Sequence, residues 1–222
     1  AGSALARGSR RAFAACSRCG ASPLQGPDFF WCGHCGRVPP ASSAKTVTFF
    51  EALGLPASYE VDLKAAGPRL KELDRRFQEL ARQGEDLEAL KAYVQRCQEA
   101  WKSLRDPIKR AEHLLSVHGL EALPSSPHEL LPSVGALEDE ALSAEVEDSA
   151  AIARVIEQNT SAMQEAELRL ASELRGERWA DAHITLLEVH QRRALKARLE
   201  ELAMENCEAA TPAHSSTVGG IH

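Results

Sequence analysis

Residues 67–119 read GPRLKELDRRFQELARQGEDLEALKAYVQRCQEAWKSLRDPIKRAEHLLSVHG, and the spacing of their apolar residues decides the fold class. Leu70, Leu73, Phe77 and Leu80 recur at helical intervals, while Lys71, Arg75, Arg76 and Arg82 lie largely off that stripe. Gly67-Pro68 predicts the start of this helix, because proline suits the first helical position. After Gln83-Gly84 a second stripe of Leu87, Leu90, Val94, Trp101 and Leu104 keeps the same period. Two such helices pack antiparallel as a hairpin. Asp106-Pro107 then supplies an N-cap followed by proline, opening a third helix from Ile108 to His118 that Gly119 closes.

Upstream, Phe49, Phe50 and Leu53 form a short apolar turn stopped by Gly54, with Pro56 keeping the next residues extended. The stretch before it, Val38-Pro39-Pro40-Ala41-Ser42-Ser43, has little to bury and reads as a linker over 37–45. Ahead of that lie Cys16, Cys19, Cys32 and Cys35, two Cys-x-x-Cys pairs separated by 12 residues. Each pair turns tightly enough to offer two thiolates to one ion, Gly20 and Gly36 permit the turns, and two pairs complete a closed S4 shell. That spacing predicts a structural divalent metal over 16–36, zinc or another tetrahedral ion; a disulfide pair and an iron site are the alternatives. His34 reads as a solvent-facing knuckle residue, and Cys97 and Cys207 as unpaired thiols. Residues 1–27 carry Arg7, Arg10, Arg11 and Arg18 but no acid, and 1–15 has the composition of a mitochondrial transit peptide.

Downstream, Leu123-Pro124-Ser125-Ser126-Pro127 marks a boundary, a linker over 120–127. Residues 69–115 hold 11 Lys or Arg against 9 Asp or Glu, whereas 120–177 hold 3 against 13, so two regions of different charge meet there. Helical periodicity resumes with Ile152, Val155, Ile156, Met163, Leu170 and Leu174, breaks at Gly176, and continues through Trp179, Leu186, Leu187, Leu195, Leu199 and Leu202. This predicts a helical bundle over 128–204, with a disordered tail over 205–222. The expected class is therefore all-α with a small N-terminal zinc-ribbon-like module. Across 222 residues the net charge is −6, which argues against a nucleic-acid partner held by phosphate contacts. No apolar run approaches the roughly 20 residues of a membrane span, so no membrane role is expected. The eight His are scattered, His183 and His190 lack a third ligand, and no Gly-x-Ser-x-Gly or phosphate loop occurs. A catalytic role is not expected.

The order of parts resembles the HscB family of J-domain co-chaperones, which serve mitochondrial iron-sulfur cluster assembly and whose animal members carry a tetracysteine module. The resemblance rests on the two cysteine pairs, Phe49-Phe50-x-x-Leu53-Gly54-Leu55-Pro56, Val61-Asp62 before the basic helix, and Leu104-x-x-Pro107-x-x-Arg110-Ala111-x-x-Leu114-Leu115. It covers about residues 16–202 and is strongest over 16–119. It implies a J domain over 46–119 whose Lys71, Arg75 and Arg76 face a DnaK-type mitochondrial chaperone. It also implies a bundle helix beginning near Glu129 that binds the cluster scaffold protein through Leu130, Leu131, Val134, Leu137 and Glu138, with Asp139, Glu140 and Glu145 alongside. The expected location is the mitochondrial matrix, with a cytoplasmic pool as an alternative; homodimerisation stays open.

Two departures accompany the resemblance. The family ends its basic helix in His-Pro-Asp, which triggers ATP hydrolysis by the chaperone, and this chain has no such tripeptide. Counting from Val61-Asp62 without a gap puts Gln78-Glu79-Leu80 there, so the helix is expected to run on toward Gln83, and restoring the triplet is expected to raise stimulation. Pro132 and Gly135 fall where the family's scaffold helix has helix formers, and an aromatic of the last helix is replaced by Gln191 or Arg192. The alternative function is thus a metal-ribbon adaptor with a degenerate J domain that does not activate the chaperone.

Overall fold

The computed structural model describes residues 16, 19–21, 30–120, 132–143 and 149–209. The transit-like segment 1–15, the 121–127 boundary, Leu130, Leu131, Glu145, the Cys207 side chain and the tail beyond 209 lie outside the described residues. All regular structure among the described residues is helical: α1 (Ala41–Ala44), α2 (Phe49–Ala52), α3 (Leu63–Arg82), α4 (Leu87–Arg105), α5 (Pro107–Val117), α6 (Pro132–Ser143), α7 (Ser149–Arg175) and α8 (Trp179–Ala209). None of these helices is long and apolar enough to cross a membrane. The chain divides into two compact units, Ala1–Ala122 with Leu174–Trp179, and Leu123–Glu173 with Ala180–His222.

In the first unit the caps fix the helix boundaries. Thr48 and Glu51 form a reciprocal capping box on α2, and Gly54, at φ 64°, turns the chain out of it. Asp86 and Asp106 each accept from two backbone amides at the starts of α4 and α5, with Pro107 in the first turn of α5. Helix α3 starts at Leu63, five residues before the Pro68 start that Gly67-Pro68 predicts. The Asp62 carboxylate accepts from the amides of Lys64 and Ala65, and Pro68 is carried inside the helix on an exposed face. Pro68 forfeits one backbone bond, to the Lys64 carbonyl; the Asp62 cap offsets part of that cost and burial of Ala66, Leu73, Phe77 and Leu80 along the same helix offsets the rest.

Helix α4 is the centre of this unit, with α1, α2, α3 and α5 all packed on it. Its buried residues are Ala89, Leu90, Tyr93, Cys97, Ala100 and Leu104, while Leu87 is 57% exposed. The buried face is therefore rotated from the stripe that the large apolar residues define. Small residues let neighbouring backbones approach closely, so Ala89, Cys97 and Ala100 take positions that hydrophobicity alone assigns elsewhere. The Cys97 thiol, 3.7 Å from the Ala52 carbonyl oxygen, is pushed up to about 12 by burial and is chemically quiet. The expected linker 37–45 is a packed segment: Val38 and Ala44 are buried, as is Val47 just beyond it, and α1 lies on α4. Val47 also receives the Arg96 Nε–H on its carbonyl oxygen at 2.8 Å.

His113 on α5 closes the junction with α2. Its Nε2 accepts from the Phe49 amide at 2.8 Å, and its ring lies 4.2 Å from that of Phe49. Burial, reinforced by the Arg96 guanidinium, lowers its pKa to about 4. The unfolded imidazole titrates near 6.5, so between those values the unfolded state binds more protons and stability rises with pH. The contribution is fully present above about pH 6.5 and is lost as pH falls toward about 4, on the order of 1 to 2 kcal/mol after solvent screening at a half-buried site. Urea midpoints taken across that range should show this slope in the native chain and lose it in His113→Gln. An equal slope in the variant would remove His113 as its source.

The second unit packs α6, α7 and α8. Val134 on α6 joins Val155 on α7 and Leu195 and Leu199 on α8 in one buried cluster, with Leu137 and Ile156 partly buried against it. Across the α7–α8 pair, Asn159 donates to the Arg192 carbonyl oxygen at 2.9 Å and Arg193 pairs with Glu167 at 2.9 Å. Helix α8 continues to Ala209, so the first five residues of the expected tail are helical.

Candidate metal centre and partner faces

The two cysteine pairs build the same knuckle twice. In the first, the Gly20 amide donates to the Cys16 carbonyl at 2.8 Å and the Cys16 amide to the Ala21 carbonyl at 3.0 Å; in the second, Gly36 to Cys32 at 2.7 Å and Cys32 to Arg37 at 2.8 Å. Gly20 and Gly36 sit at φ 67° and 73°, where a side chain is strained although the space around them is open. The requirement for glycine is conformational. The four Sγ atoms lie within 4.8 Å of one another, with Cys16 to Cys35 and Cys19 to Cys32 both at 3.7 Å. A tetrahedral shell with metal–sulfur bonds of about 2.3 Å has edges of roughly 3.8 Å, so the donor set fits one four-coordinate ion.

The thiols differ in their electrostatics. At Cys19 the Ala21 amide favours the thiolate, but desolvation and the sulfurs of Cys16, Cys32 and Cys35 outweigh it and raise the pKa to about 12. At Cys32 the amides of Cys35 and His34 pull it down. Four crowded sulfurs cannot all ionise without a cation, and metal binding accordingly releases protons. His34 is exposed, as a knuckle residue should be.

The cysteine module is not a free appendage. Phe30 has no exposed surface and sits edge-on to Phe77 of α3 (5.5 Å, 76°) and Tyr93 of α4 (5.4 Å, 79°). Trp31 lies 5.6 Å under the Arg76 guanidinium, and the Val38 amide donates to the Glu85 carboxylate at 3.3 Å. These residues are absent from the sequence-level assignment. The signal available was Phe29-Phe30-Trp31, three aromatic residues in a row in a chain that is only 5% aromatic.

Of the three basic residues of α3 expected to face the chaperone, Lys71 and Arg75 are exposed. Arg75 pairs with Glu72 at 2.7 Å, and Arg76 is half-buried between Trp31 and Glu79, its ion pair also 2.7 Å. Gln78-Glu79-Leu80 lies within α3, as the absence of proline predicts, and Leu80 is core at 2% exposure. The hairpin loop is Gln83-Gly84-Glu85-Asp86, and its Asp86 carboxylate is occupied in capping α4.

On α6 the expected apolar strip divides. Val134 has no exposed surface, so it fills the bundle core and is not part of a partner surface. Leu137 is half-buried against the same core, and Glu138 pairs with Arg198 of α8. Gln191 and Arg192, at 8% and 5% exposure, are likewise internal.

No family model matches the chain. Among solved structures, chaperone HscB from Vibrio cholerae is 25% identical, with a TM-score of 0.53 over 71% of this chain and 98% of that one. The human co-chaperone protein HscB gives a TM-score of 0.60 at 18% identity, over 84% of this chain and 96% of that one. Fold and order of parts place the chain in the class of helical co-chaperones. The fold is the one solved for the HscB co-chaperones, the family that the motifs at 49–56 and 104–115 resemble.

Proposed function

We propose that this chain brings an iron-sulfur cluster scaffold protein to a DnaK-type chaperone in the mitochondrial matrix, with zinc held by its four cysteines. The observation that carries the reading is the exposed basic face of α3, Lys71 and Arg75, on a hairpin of the HscB fold. The scaffold contact is assigned to α6, where Asp139 and Glu140 are exposed beside the half-buried Leu137. The adaptor reading is favoured by a different observation: the helix runs through 78–80 and the loop's only Asp is already a cap.

Steady-state ATPase of a DnaK-type mitochondrial chaperone, with and without the scaffold protein, tests both. The expected result is a measurable ternary complex with hydrolysis close to the basal rate. Stimulation comparable with that of a His-Pro-Asp-bearing J protein would overturn the adaptor reading. Absence of binding to either partner would overturn the proposal as a whole.

A further inference from the structure

The second knuckle is anchored to the hairpin on both sides. Two residues before Cys32, Phe30 is locked between α3 and α4; three residues after Cys35, Val38 is buried and tied to the loop through Glu85. Phe77 belongs to α3, Tyr93 to α4 and Glu85 to the turn between them, so one short segment touches both helices and their connection. The Tyr93 phenol is itself partnered by Ser43 of α1. A module this small has no core of its own, and such modules take their folding free energy from the metal.

From this arrangement we infer that metal binding by Cys16, Cys19, Cys32 and Cys35 and the closure of the α3–α4 hairpin are one coupled equilibrium, transmitted through Phe30. The ion fixes the knuckle, the knuckle presents Phe30, and Phe30 completes the hairpin core between Phe77 and Tyr93. Loss of the ion frees Trp31 from Arg76 and leaves the two core aromatics short of their partner. The metal thereby governs a helix whose basic residues are remote from the sulfurs in sequence. Coupling of this kind is reciprocal: whatever factor the metal contributes to hairpin closure, the closed hairpin contributes to metal affinity. The inference concerns folding linkage alone and holds whichever partner α3 meets.

Amide hydrogen exchange on the full reduced chain, zinc-loaded and after chelation, tests it, with elemental analysis reporting occupancy. Chelation should speed exchange across Leu73–Leu80 of α3 by about tenfold or more, the factor equivalent to 1.4 kcal/mol, and leave α7 unchanged. Phe30→Ala keeps all four sulfurs, so it should still bind zinc, with an affinity lowered by a comparable factor, and α3 should no longer respond to chelation. Identical exchange of α3 in loaded and stripped native chain would overturn the inference, as would unaltered zinc affinity in Phe30→Ala. A native chain that takes up no zinc would overturn it too. Should Phe30→Ala fail to fold, Phe30→Leu provides the affinity comparison, and the native-chain exchange result decides by itself.

Discussion

Leu80→Asp is expected to unfold the hairpin. Leu80 is 2% exposed on the last full turn of α3, in a core with Leu73, Phe77 and Leu90 also buried. Removing the leucine alone costs about 2 to 5 kcal/mol, and a carboxyl in its place adds the cost of burying a polar group without a partner. The total reaches the 5 to 15 kcal/mol that holds a typical domain together. Glu79→Pro deletes a backbone donor inside α3 and clashes with the preceding turn, about 3 kcal/mol, and it also removes the acid that pairs with Arg76. Gln78→His, on an exposed position, should change stability by about 0.5 kcal/mol or less. The triple substitution expected from sequence to restore chaperone activation is therefore expected to destroy the surface it was meant to complete. Far-UV circular dichroism during urea denaturation measures each step. A Leu80→Asp variant as stable as the native chain would mean that α3 does not carry a core position at 80.

The hairpin was legible because its signals are local. Asp86, Asp106 and the Thr48–Glu51 pair each sit within three residues of the amides they satisfy, and cap chemistry is written in contiguous sequence. The cysteine spacing is local in the same sense, since each knuckle closes its own backbone bonds within five residues. What the sequence concealed depends on partners far along the chain. Val38 and Ala44 lie in a stretch with no periodicity, and only the presence of α4 some fifty residues later makes them core. Phe30 reads as an aromatic in a loop until Phe77 and Tyr93 are brought to it. The face of α4 was misread for a related reason: burial followed the need for close approach by small residues, which a count of large apolar side chains does not register. On α6, Val134 could belong to a groove or to a core, and its apolar character fits both; packing against Val155, Leu195 and Leu199 makes it core.

The bundle carries a polar group whose removal should be as damaging as a core truncation. Arg192 is 5% exposed, and its Nε donates to Glu188 at 2.8 Å, one turn earlier on α8. Its Nη2 reaches Ser133 of α6 only at 3.4 Å, and its Nη1 has no protein partner. Glu188 is the acid that compensates this buried charge, and it also receives Arg169 of α7. Glu188→Ala should therefore cost about 3 to 5 kcal/mol, the usual consequence of leaving one member of a buried pair alone. Arg192→Met should cost far less: it removes the charge with the side chain, leaves Glu188 with Arg169, and keeps the bond from Asn159, which is made to the Arg192 backbone carbonyl. The double variant Glu188→Leu, Arg192→Met replaces the pair by apolar side chains of similar size. It should return to within about 1 kcal/mol of the native chain or exceed it, because well-packed apolar groups match or outdo a desolvated ion pair. A cycle of Glu188→Leu, Arg192→Met and their double variant by thermal denaturation reads the coupling directly. If Glu188→Ala and Arg192→Met prove equally mild, the arginine reaches water in solution and the pair plays no part in fixing α8 against α6 and α7.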